Sequence, residues 1–169
     1  MNSKLFAFYL GGKASGANIE VHDVVFAVGE TKEACYLTLK QKWFGDKTAV
    51  HIDNYICLEQ LNGYKIEAVE NLNEVETPDL KLFFINFGAA SVNKFTEIHD
   101  SGFFVASDKS GALKQAIKTL LVGGSDVHLD NLHIVDDVLE INLVDNSRIK
   151  LTPNTAVNSL PTPFYFKLK

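Results

Sequence analysis

Several features that most often betray a function are scarce or missing here. Only two cysteines occur, and they do not form a CxxC pair. Neither a dithiol redox motif nor a thiolate zinc site can be built from them. No HExxH pattern occurs either, so no metal site and no cofactor are predicted. The apolar runs are of strand length, far below the roughly 20 residues that cross a bilayer as a helix. Basic stripes are lacking as well. The formal net charge is −5 and the pI near 5.5, which argues against nucleic acid or an anionic membrane as partner. The opening MNSKLFAFYLGG has one lysine before an apolar run but no convincing small-x-small cleavage pattern, so it is not read as a signal peptide. The expectation is a cytoplasmic protein in which Cys35 and Cys57, both in apolar surroundings, are free buried thiols.

What the sequence does contain is itself, twice. Setting residue n against n+77 gives 14 identities over residues 4–61 without a gap. They include Lys4-Leu5-Phe6 on Lys81-Leu82-Phe83, Gly11 on Gly88, Glu20 on Glu97, and His22-Asp23 on His99-Asp100. In the same register "HIDN" at 51–54 falls on "HLDN" at 128–131. Beyond residue 61 the second copy loses two residues, and Ile66 then matches Ile141. A repeat of this length implies two similar supersecondary units, each too small to bury a core alone. Total length and a 46% hydrophobic content suit one sizeable core or two small ones.

Each copy reads as strand, strand, helix, strand, strand. Leu5–Leu10 and the β-branched stretch Ile19–Val28 are the first two strands. Thr31 and Asp108 occupy matching N-cap positions. Cys35/Ala112, Tyr36/Leu113, Leu39/Ala116, Trp43/Leu120 and Phe44/Leu121 mark one helix face. Gly45 and Gly123-Gly124 lie where the helices end. The third strand carries HIDNYICLEQ. Asn62-Gly63 then predicts a two-residue hairpin into Tyr64–Val69, with Asp136-Asp137 serving as the turn of the second copy. SRIKL is a further short strand, TPNTAVNSLPTP a loop, and FYFKLK an edge strand against the other copy or another subunit. The fold class is α+β, mostly antiparallel sheet with one helix packed on it per repeat. The predicted divisions are 1–70, an acidic linker 71–80, 81–152, and a C-terminal loop and strand 153–169.

The repeated polar residues admit two readings. Both faces of the His22 strand are largely apolar, which predicts a central, buried strand. His51 and Asp53 share a face, Tyr55 continues it, and Asn54 points away. On one reading these residues are polar staples: Asp53/Asp130 or Asn54/Asn131 bond loop backbone, and His22/His99 pair with a carboxylate or carbonyl. On the other, His22, His51 and Asp53 gather around a substrate as acid–base groups, or around a divalent metal. The first copy alone has a Gly-rich loop. It offers Gly11, Gly12, Lys13, Ser15 and Asn18 as a place for a small anionic ligand, though it precedes a strand and so is not a P-loop.

The stretches KLFAFYLGGKASGANIEVHDVVFAVGET, KWFGD, HIDNY and LNGYKIE resemble the bacterial domain of unknown function numbered 1543, whose unit occurs once or twice per chain. The resemblance is close over residues 4–69 and weaker over 81–145. It implies no reaction, cofactor or catalytic residue. The expected function is therefore a non-catalytic binding or protein-interaction module, plausibly a homodimer. The alternative is a small-ligand binder or enzyme using the Gly11–Asn18 loop with His22 and His51.

Overall fold

A computed structural model describes residues 3–70, 79–89, 95–120 and 133–168, with side chains except those of 89 and 133–136. In chain order the elements are β1 (Lys4–Gly12), β2 (Val21–Gly29), a 3-10 turn (Glu33–Cys35) running into α1 (Tyr36–Lys42), β3 (His51–Cys57), β4 (Gln60–Leu61) and β5 (Tyr64–Val69). There follow β6 (Lys81–Ala89), β7 (Ile98–Ala106), α2 (Lys109–Thr119), β8 (His133–Ile141), β9 (Leu143–Val144), β10 (Ser147–Pro153) and β11 (Thr162–Lys167). The strands pair antiparallel in three sheets, ordered β11-β3-β1-β2, β4-β5-β10-β9 and β7-β6-β8. The protein is α+β, as expected. It divides into two compact units, Met1–Val75 with Leu143–Lys169, and Glu76–Asn142.

In the first unit β1 is central and almost continuously buried, as a strand with neighbours on both sides and cover on its faces should be. Its residues Phe6, Phe8 and Leu10 join Val25, Ala27 and Ile52 in a core closed by Cys35, Leu39, Trp43, Val50 and Leu168. Cys35, Leu39 and Trp43 lie four residues apart, so one helical stripe carries all three inward. The helix stops at Trp43, whose ψ of 126° takes the chain out of the turn. Phe44 is consequently turned outward and 60% exposed, not on the buried face. Gly45 has no left-handed backbone; a Cβ there would meet the Lys13 carbonyl, and the Asp46 N–H donates to that same oxygen at 2.7 Å.

In the second unit Phe83, Ile85, Phe87, Phe104 and Ala106 pack with Ala112 and Ala116 of α2. Asp108 caps this helix, its carboxylate accepting from Gly111 N–H at 2.7 Å. Thr31 does less, its hydroxyl accepting from Ala34 N–H at 3.4 Å. Leu121 and Gly123-Gly124 lie outside the described residues.

The sheet β4-β5-β10-β9 joins two hairpins. Asn62-Gly63 turns one, with φ of 51° and 85°. Asp145-Asn146 turns the other, with φ of 48° and 65°. Positive φ at both central residues is the type I′ turn that matches strand twist. Asp136-Asp137 is thus not the second turn: both residues lie inside β8, at a register shift opposite Asn86 and Phe87. Two further expectations are corrected. β2 is an outer strand, with His22 and Asp23 exposed; its apolar composition reflects a core on one side and partial cover on the other. β3 carries a bulge, so Tyr55 pairs with the buried Phe8 and packs on the core instead of continuing the His51 face. The C-terminal strand β11 pairs with β3 of the same chain.

Candidate functional site

The outer face of β1 carries Tyr9 and Gly11. In register, Gly11 faces His22 on β2 and His51 on β3. Three adjacent strands therefore place two imidazoles on either side of a residue with no side chain. Asp53 reaches the same spot through the bulge. Leu10 pairs with Ile52 and Tyr9 with Asn54, which leaves Asp53 as the extra residue of β3. Glu20, in the segment just before β2, completes the group.

Each carboxylate spans both rings. Asp53 Oδ1 lies 3.3 Å from His51 Nε2, and Oδ2 lies 3.4 Å from His22 Nε2. Glu20 Oε1 lies 3.3 Å from His51 Nε2, and Oε2 lies 3.8 Å from His22 Nε2. These separations exceed ordinary hydrogen-bond lengths of roughly 2.7–3.2 Å. The polar atoms of the ring are therefore not saturated by one another. The site has depth: His51 is buried, Asp53 and His22 form the walls, and Glu20 is the half-exposed rim.

Aromatic faces flank the rings. Tyr9 stacks on His22 with centroids 5.1 Å apart and planes 5° from parallel. Tyr165 of β11 leans on His51 at 5.0 Å and is itself 71% exposed. Partial burial, and then the nearby Asp53 charge, push the Tyr9 phenol above its ordinary pKa. Beneath them, a Cβ on Gly11 would stand 2.6 Å from His51 Nε2, 2.7 Å from Asp53 Oδ2 and 3.1 Å from His22 Cδ2. Only glycine leaves these three groups where they are. Among the described residues no set of three or more His, Cys, Asp or Glu side chains is arranged to hold a metal ion.

Of the residues expected at a site, His22, His51, Asp53 and Gly11 come together. Lys13 is exposed and its charge acts on Asp46. Gly12 packs against Trp43 and the backbone of Val50, and Ser15 and Asn18 are exposed loop residues. Asn54 does not act as the staple anticipated for it, since its buried Oδ1 has no hydrogen-bond partner. Glu20, Tyr9 and Tyr165 were not foreseen. Glu20 had a signal in its match to Glu97; Tyr165 had none, because only the β11–β3 pairing brings it near.

In the second unit His99 Nε2 and Glu97 Oε2 are 3.7 Å apart. His99 faces Gly88, as His22 faces Gly11. On the other side of Gly88, however, the register places Ile134. His128, Asp130 and Asn131 lie outside the described residues. The thiols stay away from this chemistry: burial pushes Cys35 up to about 11 and Cys57 up to about 12, and both are free. No described helix is long and apolar enough to cross a membrane.

A family model described as Domain of Unknown Function (DUF1543) matches residues 17–68 and 94–151, more than half of the chain. The chain is also similar to the crystal structure of a protein Il1583 from Idiomarina loihiensis. The two agree with a TM-score of 0.76 at 29% identity, over 99% of each chain. No protein with a curated description matches.

Proposed function

The chain belongs to the DUF1543 family, and from that premise we propose that it is a small-ligand-binding module whose site is the ring of Glu20, His22, His51 and Asp53. One observation carries this reading. Gly11 faces His51 where Gly88 faces Ile134. If the polar ring were a staple the fold requires, the second unit would need it too. Glu97, His99 and Asp136 hold the places of Glu20, His22 and Asp53, but isoleucine is paired with Gly88 where His51 is paired with Gly11, in a strand pair with the same bulge. Binding is favoured over covalent catalysis because neither thiol is ionised at neutral pH, and Cys35 is in the core. We place the protein in the bacterial cytoplasm. Self-association through the outer strands β2 or β11 belongs to the same proposal, and light scattering that returns a single-chain mass at high concentration overturns that part.

The comparison between halves rests on a duplication whose register changes partway. The two family segments start 77 residues apart (17 and 94) and end 83 apart (68 and 151). β1 and β2 match β6 and β7 at the first offset, and the Asn62-Gly63 and Asp145-Asn146 turns match at the second. At that second offset the counterpart of His51–Asn54 is Ile134–Asp137, not HLDN.

The test is stability. Replacing His51 by isoleucine, the residue that follows the second copy, leaves the urea midpoint unchanged or raises it if the ring serves a ligand. Glu20 and Asp53 are partly exposed and keep His22 as a neighbour after the change, so no buried charge is stranded. A loss above about 2 kcal/mol, of the size expected for breaking a structural polar network, overturns the proposal.

A further inference from the structure

Resting on the reading of this ring as a ligand site, we infer that its ligand is a small organic cation, an ammonium group on an aromatic or aliphatic stem. Charge decides the sign. Glu20 and Asp53 each face only imidazoles: among the described residues no lysine or arginine lies within ion-pair distance of either. The ring thus gathers two carboxylates around one spot with no lysine or arginine among its members. The anion expected from Lys13 has no cation to meet it there, because Lys13 acts on Asp46.

Geometry sets the number of bonds. An ammonium has three N–H donors. The Asp53 and Glu20 carboxylates together offer four acceptor oxygens, and both lie about 3.3 Å from His51 Nε2. His51 Nδ1 faces the Ala49 carbonyl at 3.4 Å. The absent Cβ of Gly11 keeps these acceptors close to the strand.

Surroundings set the stem. Tyr9 and Tyr165 stand on either side, both with exposed ring surface. Aromatic faces beside carboxylates attract organic cations through the ring quadrupole and also cover an apolar stem. A bare metal ion would leave both tyrosines unused, and the donors are not arranged around one.

The experiment titrates the full-length protein with benzylammonium chloride, following the His22 and His51 ring resonances by NMR. Benzyl alcohol, benzoate and zinc chloride form the parallel arms. Saturable shifts with benzylammonium alone are expected. Asp53→Asn and Glu20→Gln each weaken binding by about tenfold or more, as loss of a charge-assisted bond implies. Tyr165→Ala weakens it less, while leaving the stability of the protein unchanged. Equal binding of benzyl alcohol, binding of zinc or benzoate only, or no shift with any probe at millimolar concentration overturns the inference. None of those results bears on the His51→Ile stability test, so the ligand class and the existence of a ligand site fail separately.

Discussion

Asp145 and Lys42 are 103 residues apart in the chain and 2.6 Å apart in the fold. The same carboxylate accepts from Val28 N–H at 2.9 Å, and Lys42 also donates to the Phe26 carbonyl at 2.7 Å. One side chain from the β9–β10 turn thus ties an outer strand to the helix beside it. It adds to the pairing of β10 with β5 and of β11 with β3, which places the chain beyond residue 142 in the first unit. Asp145→Ala should cost about 1–3 kcal/mol in urea unfolding, through the Val28 amide and through the left-handed backbone at 145 that alanine tolerates poorly, since the partly exposed ion pair contributes less. A change within experimental error would show that the turn docks by shape alone.

Gly11→Ala separates space from backbone freedom. No left-handed φ is involved at Gly11, so the whole effect comes from the added methyl meeting His51 and Asp53. We expect a loss of about 1–3 kcal/mol by overpacking, smaller in the double variant with Asp53→Gly. Equal losses in the single and double variants would mean that the carboxylate is not what the methyl displaces.

Trp43 is 1% exposed, yet its indole N–H has no hydrogen-bond partner. Trp43→Phe therefore gives up volume but no polar contact. It should cost well under half of the roughly 3–5 kcal/mol expected for Trp43→Ala. Similar losses from both would reveal a bonded N–H.

The two helix starts should answer differently to the same substitution. Asp108→Ala removes a 2.7 Å cap and should cost about 1 kcal/mol, whereas Thr31→Ala, with a 3.4 Å contact, should cost a few tenths at most. Hydrogen exchange at Gly111 and Ala34 reads both directly.

The thiols predict an alkaline limit. Both have pKa values raised by burial above the ordinary value of 9.0. The folded state then holds protons that the unfolded state has lost. Stability is undiminished below about pH 9 and falls between there and about 11 to 12. Serine at both positions should flatten that part of the pH profile, and a thiol reagent at pH 8 should label fully only after unfolding.

Much of the fold could be read from residue patterns, and the exceptions have physical causes. Strand spans, the helix stripe of Cys35, Leu39 and Trp43, and the Asn62-Gly63 turn all follow from local periodicity and turn chemistry. The Asp53 bulge has no local signature, because one unpaired residue changes the pairing and not the composition. It moved Asn54 and Tyr55 to the faces opposite to those that alternation assigns. His22 and His51 were named from repetition, but for His51 the repetition misled: HLDN resembles HIDN, while the register sets Ile134 in the matching place. Glu20 and Tyr165 depend on a segment before β2 and on a strand near the C-terminus, and no window of sequence joins them.

β5 and β10 pair so that Ile66 meets Leu151 and Ala68 meets Ile149, with Glu67 opposite Lys150 at the middle. Under an offset of 83 each pair maps onto another, and the central one maps onto itself. Two separate, identical chains meeting this way would confront each residue on the axis with its own twin, glutamate against glutamate. Only a gene that carries both halves can mutate one side of such an axis alone. The opposite charges of Glu67 and Lys150 are open to two halves carried in one chain and closed to any symmetric pair.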